Sequence, residues 1–193
     1  MITYQLSVTQ GFPLPCTEDI WNEIIDRPAV KNICDQIAAL DPEAPDFNDR
    51  KQALKKRLPI IIPHAASFKN GRRVSADATP SGLAMLDVDH VDKPRELWES
   101  GCRDAQWLKA NGIVLVAITA SGKGLRVIGQ RASADEQPFG MESIEEAQMR
   151  MAEVIGISEY DGVTKDLARA SYVVPRDYIL WIDEKGFKKS SGK

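Results

Sequence analysis

The sequence predicts an α+β protein, and three observations carry that expectation. Apolar residues recur at helical spacing between positions 17 and 58, unbroken β-branched runs occupy the middle of the chain, and short apolar strands close it after one further helical segment. The composition agrees: 193 residues with 43% hydrophobic and 27% charged content is ordinary globular usage, with enough chain for a substantial core.

Taken in order, Ile2 to Val8 alternates as a strand does, and Gly11-Phe12-Pro13-Leu14-Pro15 breaks it. Thr17-Glu18-Asp19-Ile20 reads as a helix start, with Ile20, Ile24 and Ile25 on one stripe. Val30 to Leu40 and Asp46 to Leu58 read as two more helices, the second rich in basic residues. Leu58 to Pro63 is apolar but bounded by prolines, so an edge strand or a buried loop is expected. His64, alone after it, reads as a structural histidine. Ser81 to Asp89 is a strand, and Lys93 to Asn111 a helix whose Leu97, Trp98, Cys102, Trp107 and Leu108 suit a core-facing stripe. Strands follow at Ile113 to Ala120, Leu125 to Gln130, Ser171 to Pro175 and Tyr178 to Ile182, with a helix from Met141 to Ile155 stopped by Gly156. The expected organisation is one domain over 1–184, helical over 1–57 and with its core over 58–184, followed by a Lys-, Ser- and Gly-rich tail or linker at 185–193.

A net charge of -3 gives no global attraction to polyanions, which argues against a small basic coating protein. Any nucleic-acid contact must then come from a local basic surface. Arg50, Lys51, Lys55, Lys56 and Arg57 supply one, and Lys69, Arg72 and Arg73 another; a solvated helix face and a hairpin tip would account for them equally well. Three widely separated cysteines indicate neither a disulfide framework nor a zinc site, so a reducing cytoplasm is expected. No apolar run approaches bilayer-spanning length, so no membrane partner is expected.

The chemistry concentrates in three motifs. In Leu83-Ala84-Met85-Leu86-Asp87-Val88-Asp89 the strand period of two puts Asp87 and Asp89 on one face, a pair of hard oxygen ligands suited to Mg²⁺ or Mn²⁺. After the strand at 113–119, Ser121-Gly122-Lys123-Gly124-Leu125-Arg126 sets two glycines around a lysine, with Arg126 behind. Such a turn can bring backbone N–H groups to an anion, although it lacks the order of a Walker A loop and also suits an ordinary hairpin. In the third motif, Asp161-Gly162 and Asp166 precede Arg169 and the strand at 171. Turn formation would account for both acids.

The order Asp-x-Asp, Ser-Gly-x-Gly-x-basic, then Asp followed by Arg resembles the catalytic core of archaeo-eukaryotic-type primases, the primase-polymerase superfamily. More narrowly, Leu58-Pro59, Gly82 to His90, Ser121 to Arg126 and Asp166-Leu167-Ala168-Arg169-Ala170-Ser171-Tyr172 look like the N-terminal domain of VirE-type, BT4734-like, mobile-element replication proteins. The resemblance spans roughly residues 50 to 180. It implies a primase-polymerase fold, with an RRM-like antiparallel or mixed sheet flanked by helices. It also implies metal-dependent nucleotidyl transfer by Asp87, Asp89 and Asp161, with Mg²⁺ or Mn²⁺ as cofactor and Asp166 competing for the third ligand place. Ser121, Gly122, Lys123, Gly124, Arg126 and Arg169 would hold the nucleotide, and Lys55, Arg72 and Arg73 would touch nucleic acid.

The implied partners are nucleoside triphosphates, single-stranded or primed nucleic acid, and a helicase domain or protein. Arg126 departs from the histidine usual in polymerising members; it preserves phosphate binding without titrating. A non-catalytic nucleotide- or nucleic-acid-binding module of the same fold is therefore the alternative. A Toprim-like nuclease also uses Asp-x-Asp on a strand, but it needs an upstream catalytic glutamate, and Glu43 lies in a proline-flanked loop.

Overall fold

The computed structural model describes residues 2–9, 11–101, 104–133, 141–162, 165–184 and 186. The tail expected at 185–193, apart from residue 186, and Cys102 lie outside the described residues. Along the chain run Thr3–Gln5 (β1), Leu14–Pro15 (β2), Glu18–Ile25 (α1), Pro28–Ala38 (α2), Phe47–Lys55 (α3), Ile60–Ile62 (β3), Ala65–Phe68 (β4), Ala78–Pro80 (β5) and Leu83–Asp89 (β6). Then come Pro94–Ser100 (α4), Ala105–Ala110 (α5), Ile113–Ile118 (β7), Gly124–Gln130 (β8), Ile144–Ile155 (α6), Ser171–Tyr172 (β9) and Ile179–Ile182 (β10). The α+β expectation holds.

The helix ends follow local chemistry. Thr17 caps α1 by accepting the Ile20 N–H, and Pro28 opens α2 where a missing N–H costs nothing. Ser143 and Glu146 form a capping box, so α6 begins at Ile144 rather than at Met141, and Gly156 stops it in the left-handed conformation at φ 69°. The single helix expected over Lys93 to Asn111 is two. Gly101 ends α4, and Asp104 starts α5 afresh by accepting the Trp107 N–H. That break also splits the expected stripe: Leu108 is buried, whereas Leu97 and Trp107 are 40% and 43% exposed.

Two sheets face each other. The larger has order β10-β7-β8-β6 and is antiparallel throughout, so β6 and β7 run the same way with β8 between them. The smaller has order β2-β1-β3-β9, and β4 pairs with β5 as a separate hairpin. β3 was expected at an edge or in a loop, yet it is an interior strand paired to β1 and β9. Its prolines explain why: Pro59 and Pro63 fall just outside Ile60–Ile62, so no ladder donor is lost. The expected first strand contracts to β1, with every position buried rather than alternating.

Period-two alternation in β6 divides the core. Ala84, Leu86 and Val88 pack with Leu108 and with Ile144, Ala147 and Met151 of α6. Leu83 and Met85 turn the other way, toward Ile2, Tyr4 and Ile61 of the smaller sheet's strands β1 and β3, with Ile2 just before β1, and toward Trp21 and Ile24 of α1. The free edge of β6 is covered rather than left as an open ladder. Gln148 donates to the Met85 carbonyl at 2.8 Å, the Met85 N–H reaches His64 Nε2 at 2.9 Å, and the Asp161 N–H reaches the Asp87 carbonyl at 2.9 Å.

Candidate functional site

Asp87 and Asp89 continue the row begun by Leu83 and Met85. The row leaves the core at its C-terminal end, where Asp87 is 7% exposed and Asp89 lies open to solvent. His90, at φ 59°, turns the chain away immediately afterwards.

Arg126 stands directly opposite Asp87 in the β6–β8 register. Its guanidinium takes both carboxylate oxygens, Nε to Oδ1 at 2.7 Å and Nη2 to Oδ2 at 2.9 Å, and Nη1 donates to the Tyr172 carbonyl at 3.3 Å. The fork shape of arginine permits this bidentate grip, which also ties the larger sheet to β9 of the smaller one. The two side chains are 11% and 10% exposed.

The later acids separate in role. Asp161 joins β6 through its backbone, and its Oδ2 lies 3.8 Å from Arg169 Nη2. Asp166 shapes its own turn: Oδ1 accepts the Ala168 N–H at 2.9 Å, while its carbonyl accepts the Arg169 N–H and His64 Nδ1–H. His64 is thereby held from both sides, since the Met85 N–H requires Nε2 to be the acceptor. Burial pushes its pKa below the usual histidine value.

The Ser121–Gly124 segment closes the β7–β8 hairpin. The Thr119 N–H donates to the Gly124 carbonyl at 2.9 Å and the Gly122 N–H to the Thr119 carbonyl at 2.8 Å, so that amide is spent inside the turn. Both glycines have a steric reason. Gly122 sits at φ 72°, and a Cβ on Gly124 would lie 2.6 Å from the Val88 carbonyl oxygen. Lys123 is exposed at the tip.

Beside the Arg126–Tyr172 contact opens a cleft of about 520 Å³ whose walls include Gln52, Lys55, Arg73, Asp166, Arg169 and Tyr172. Lys55 Nζ lies 5.7 Å from the centre of the Tyr172 ring. Burial lowers the Lys55 pKa, the Lys51 and Arg126 charges lower it further, and Asp89 and Asp87 act in the opposite direction. Arg72 is exposed and lies with Arg73 on the connection between β4 and β5. Sequence reading gave no role to Gln52 or Tyr172. Gln52 is three residues before Lys55 on α3, a spacing that places both on one helix face and could have found it.

Asp87 and Asp89 offer the right donor chemistry for a hard divalent cation, and a carboxylate gripped by arginine keeps further lone pairs. Among the described residues, however, no group of three or more His, Cys, Asp or Glu side chains stands where it could hold a metal ion. Nor is any helix among them long and apolar enough to cross a membrane.

No curated protein and no solved structure matches the chain. The family model described as BT4734-like, N-terminal domain, matches residues 53–175, a span holding Lys55, Asp87, Asp89, Arg126, Asp161, Arg169 and Tyr172. The chain belongs to the family of BT4734-like N-terminal domains.

Proposed function

We propose that the chain is a metal-dependent nucleotidyltransferase of the primase-polymerase superfamily, acting in the cytoplasm on nucleoside triphosphates and single-stranded or primed nucleic acid during replication of a mobile element or phage. The observation that carries this reading is the row of Asp87 and Asp89, linked through Arg126 to Tyr172 and acting by charge on Lys55, two residues of a cleft walled also by Arg73 and Arg169. Carboxylates bind a hard cation, cations bind phosphate, and transfer of a nucleotide needs both at one place. Mg²⁺ or Mn²⁺ held by Asp87 and Asp89, with Asp161 or Asp166 as third ligand, would supply activation of the attacking hydroxyl and charge neutralisation at the triphosphate.

The chain's own residues bind and orient. Arg126 fixes the Asp87 carboxylate in one rotamer, and the cleft cations neutralise phosphate charge. Arg169, near Asp161, braces that acid, and Lys123 presents an exposed charge at the hairpin tip. A helicase domain or protein is the partner that would open a duplex template.

A second reading, a non-catalytic nucleotide- or nucleic-acid-binding module, is favoured by one observation. The Asp87 carboxylate is already neutralised by a nearly buried guanidinium. Primer extension and de novo synthesis with Mg²⁺ or Mn²⁺, by the wild type and by Asp89→Asn, separate the two. Asp89 is the better position to change because it is exposed and its loss leaves the Arg126–Asp87 pair whole. Metal-dependent product that disappears in Asp89→Asn is expected. Product that persists in the variant refutes this active site, and binding without any wild-type product establishes the module.

A further inference from the structure

We infer that the cleft between α3 and the 166–172 segment is a phosphate-binding subsite built by Lys55, Arg73 and Arg169, and that it, rather than the Ser121–Gly124 turn, is the main anion-holding element of the molecule. The inference rests on the phosphate-handling part of the reading above and deepens it, ranking the cleft cations over the hairpin turn that the sequence motif indicated.

Four observations lead to it. First, Lys55 and Arg73 line one concave space of about 520 Å³, and no ion pair among the described residues neutralises either of them. Cations gathered in a concavity without an ion-pair partner gain contacts when an anion enters. Second, the acids nearby leave Lys55 and Arg73 without an ion-pair contact: Asp87 is gripped by Arg126, Asp161 lies 3.8 Å from Arg169, and Asp166, in the cleft wall, accepts the Ala168 N–H of its own turn. Third, Lys55 Nζ lies 5.7 Å from the centre of the Tyr172 ring, a contact that narrows its rotamers before a ligand arrives. Burial and the neighbouring Lys51 and Arg126 charges outweigh the opposing Asp89 and Asp87 charges and disfavour its protonated state, which a bound phosphate would favour.

Fourth, the turn is poorly equipped by comparison. The Gly122 amide is used within the hairpin, Arg126 points at Asp87, and Lys123 is left as an exposed charge. Its glycines answer to backbone conformation and to the close approach of the Val88 carbonyl. Gln52, on the same α3 face as Lys55, adds an amide that can donate to a phosphate oxygen.

The same chemistry accepts the triphosphate of a free nucleotide or the backbone of a strand, and the experiment distinguishes them. Binding of dATP and of a 5′-hydroxyl oligothymidylate is measured in EDTA, so that no divalent cation contributes. The proteins compared are the wild type, Lys55→Gln, Arg73→Gln, Lys55→Arg and Lys123→Gln, each checked for fold by circular dichroism. Lys55→Gln and Arg73→Gln are expected to weaken binding about tenfold each, as loss of a charge-assisted contact does, while Lys55→Arg retains most of it. If the oligonucleotide is the ligand, its salt dependence should also fall by about one charge per residue removed. Weakening toward dATP alone marks a nucleotide subsite; weakening toward the oligonucleotide alone marks a strand subsite.

Unchanged affinity for both ligands in folded Lys55→Gln and Arg73→Gln, or a loss confined to Lys123→Gln, overturns the inference. Its failure is distinct from failure of the transferase reading. Wild-type synthesis together with unchanged binding in both variants removes the subsite alone. Absence of synthesis together with binding that both variants weaken removes the transferase and leaves the subsite.

Discussion

Arg126 and Asp87 face each other across adjacent strands and form a two-point ion pair, Nε to Oδ1 at 2.7 Å and Nη2 to Oδ2 at 2.9 Å, at the end of the buried row on β6. Because both side chains are almost shielded from water, removing either charge strands the other. Asp87→Asn and Arg126→Gln are each expected to lower stability by about 3–5 kcal/mol, and the double variant to lose clearly less than the sum. Urea denaturation of all four proteins measures the cycle. Additive losses would show that the pair is not coupled. The same physics makes Asp87→Asn an ambiguous probe of catalysis, since lost activity could follow from lost fold.

His64 gives a pH dependence with a definite sign. Its Nδ1–H donates to the Asp166 carbonyl and its Nε2 accepts the Met85 N–H, so protonating Nε2 breaks a bond that covers the β6 edge. Burial holds the folded-state pKa below the ordinary 6.5. The unfolded chain therefore takes up this proton at higher pH than the folded one. The neutral ring's contribution is complete above 6.5 and is lost as pH falls below that value and through the folded-state pKa. Chemical denaturation between about pH 7.5 and about pH 5 should show the wild type losing stability relative to His64→Gln, which does not titrate. A constant difference across that range would remove His64 as the origin.

Gly124 is a packing glycine. The 2.6 Å approach of a new Cβ to the Val88 carbonyl oxygen meets backbone on β6, which cannot swing aside as a side chain would. Gly124→Ala is expected to cost about 1–3 kcal/mol and to lower the melting temperature, as overpacking does, whether or not a nucleotide is bound. An unchanged melting temperature would show that β6 and β8 separate freely at this end.

The sequence alone settled a good deal of this molecule. The α+β class, the helix starting after Thr17, the helix stopped by Gly156 and the shared face of Asp87 and Asp89 all follow from period and capping, which act over a few residues. The three motifs also sufficed to indicate the BT4734-like resemblance, and the family match bears that out. Where local rules failed, a partner distant in the chain decided. β3 is interior because β1 and β9 arrive on either side of a tripeptide that its prolines leave intact.

The site followed the same division. That Arg126 would grip Asp87 depends on strand register, set by where the hairpin closes and by how α4 and α5 carry the chain to β7, one strand away from β6, so that β8 fits between them; spacing in sequence carries no trace of it. The cleft is further from view still, because it gathers Gln52 and Lys55 from α3, Arg73 from the β4–β5 connection and Arg169 and Tyr172 from the end of the chain. Periodicity links residues within one element. Which charges lose water together and which find an ion-pair partner is decided only when separate elements pack, so the Arg126–Asp87 pair and, among the described residues, the unpaired Lys55 and Arg73 belong to the tertiary structure.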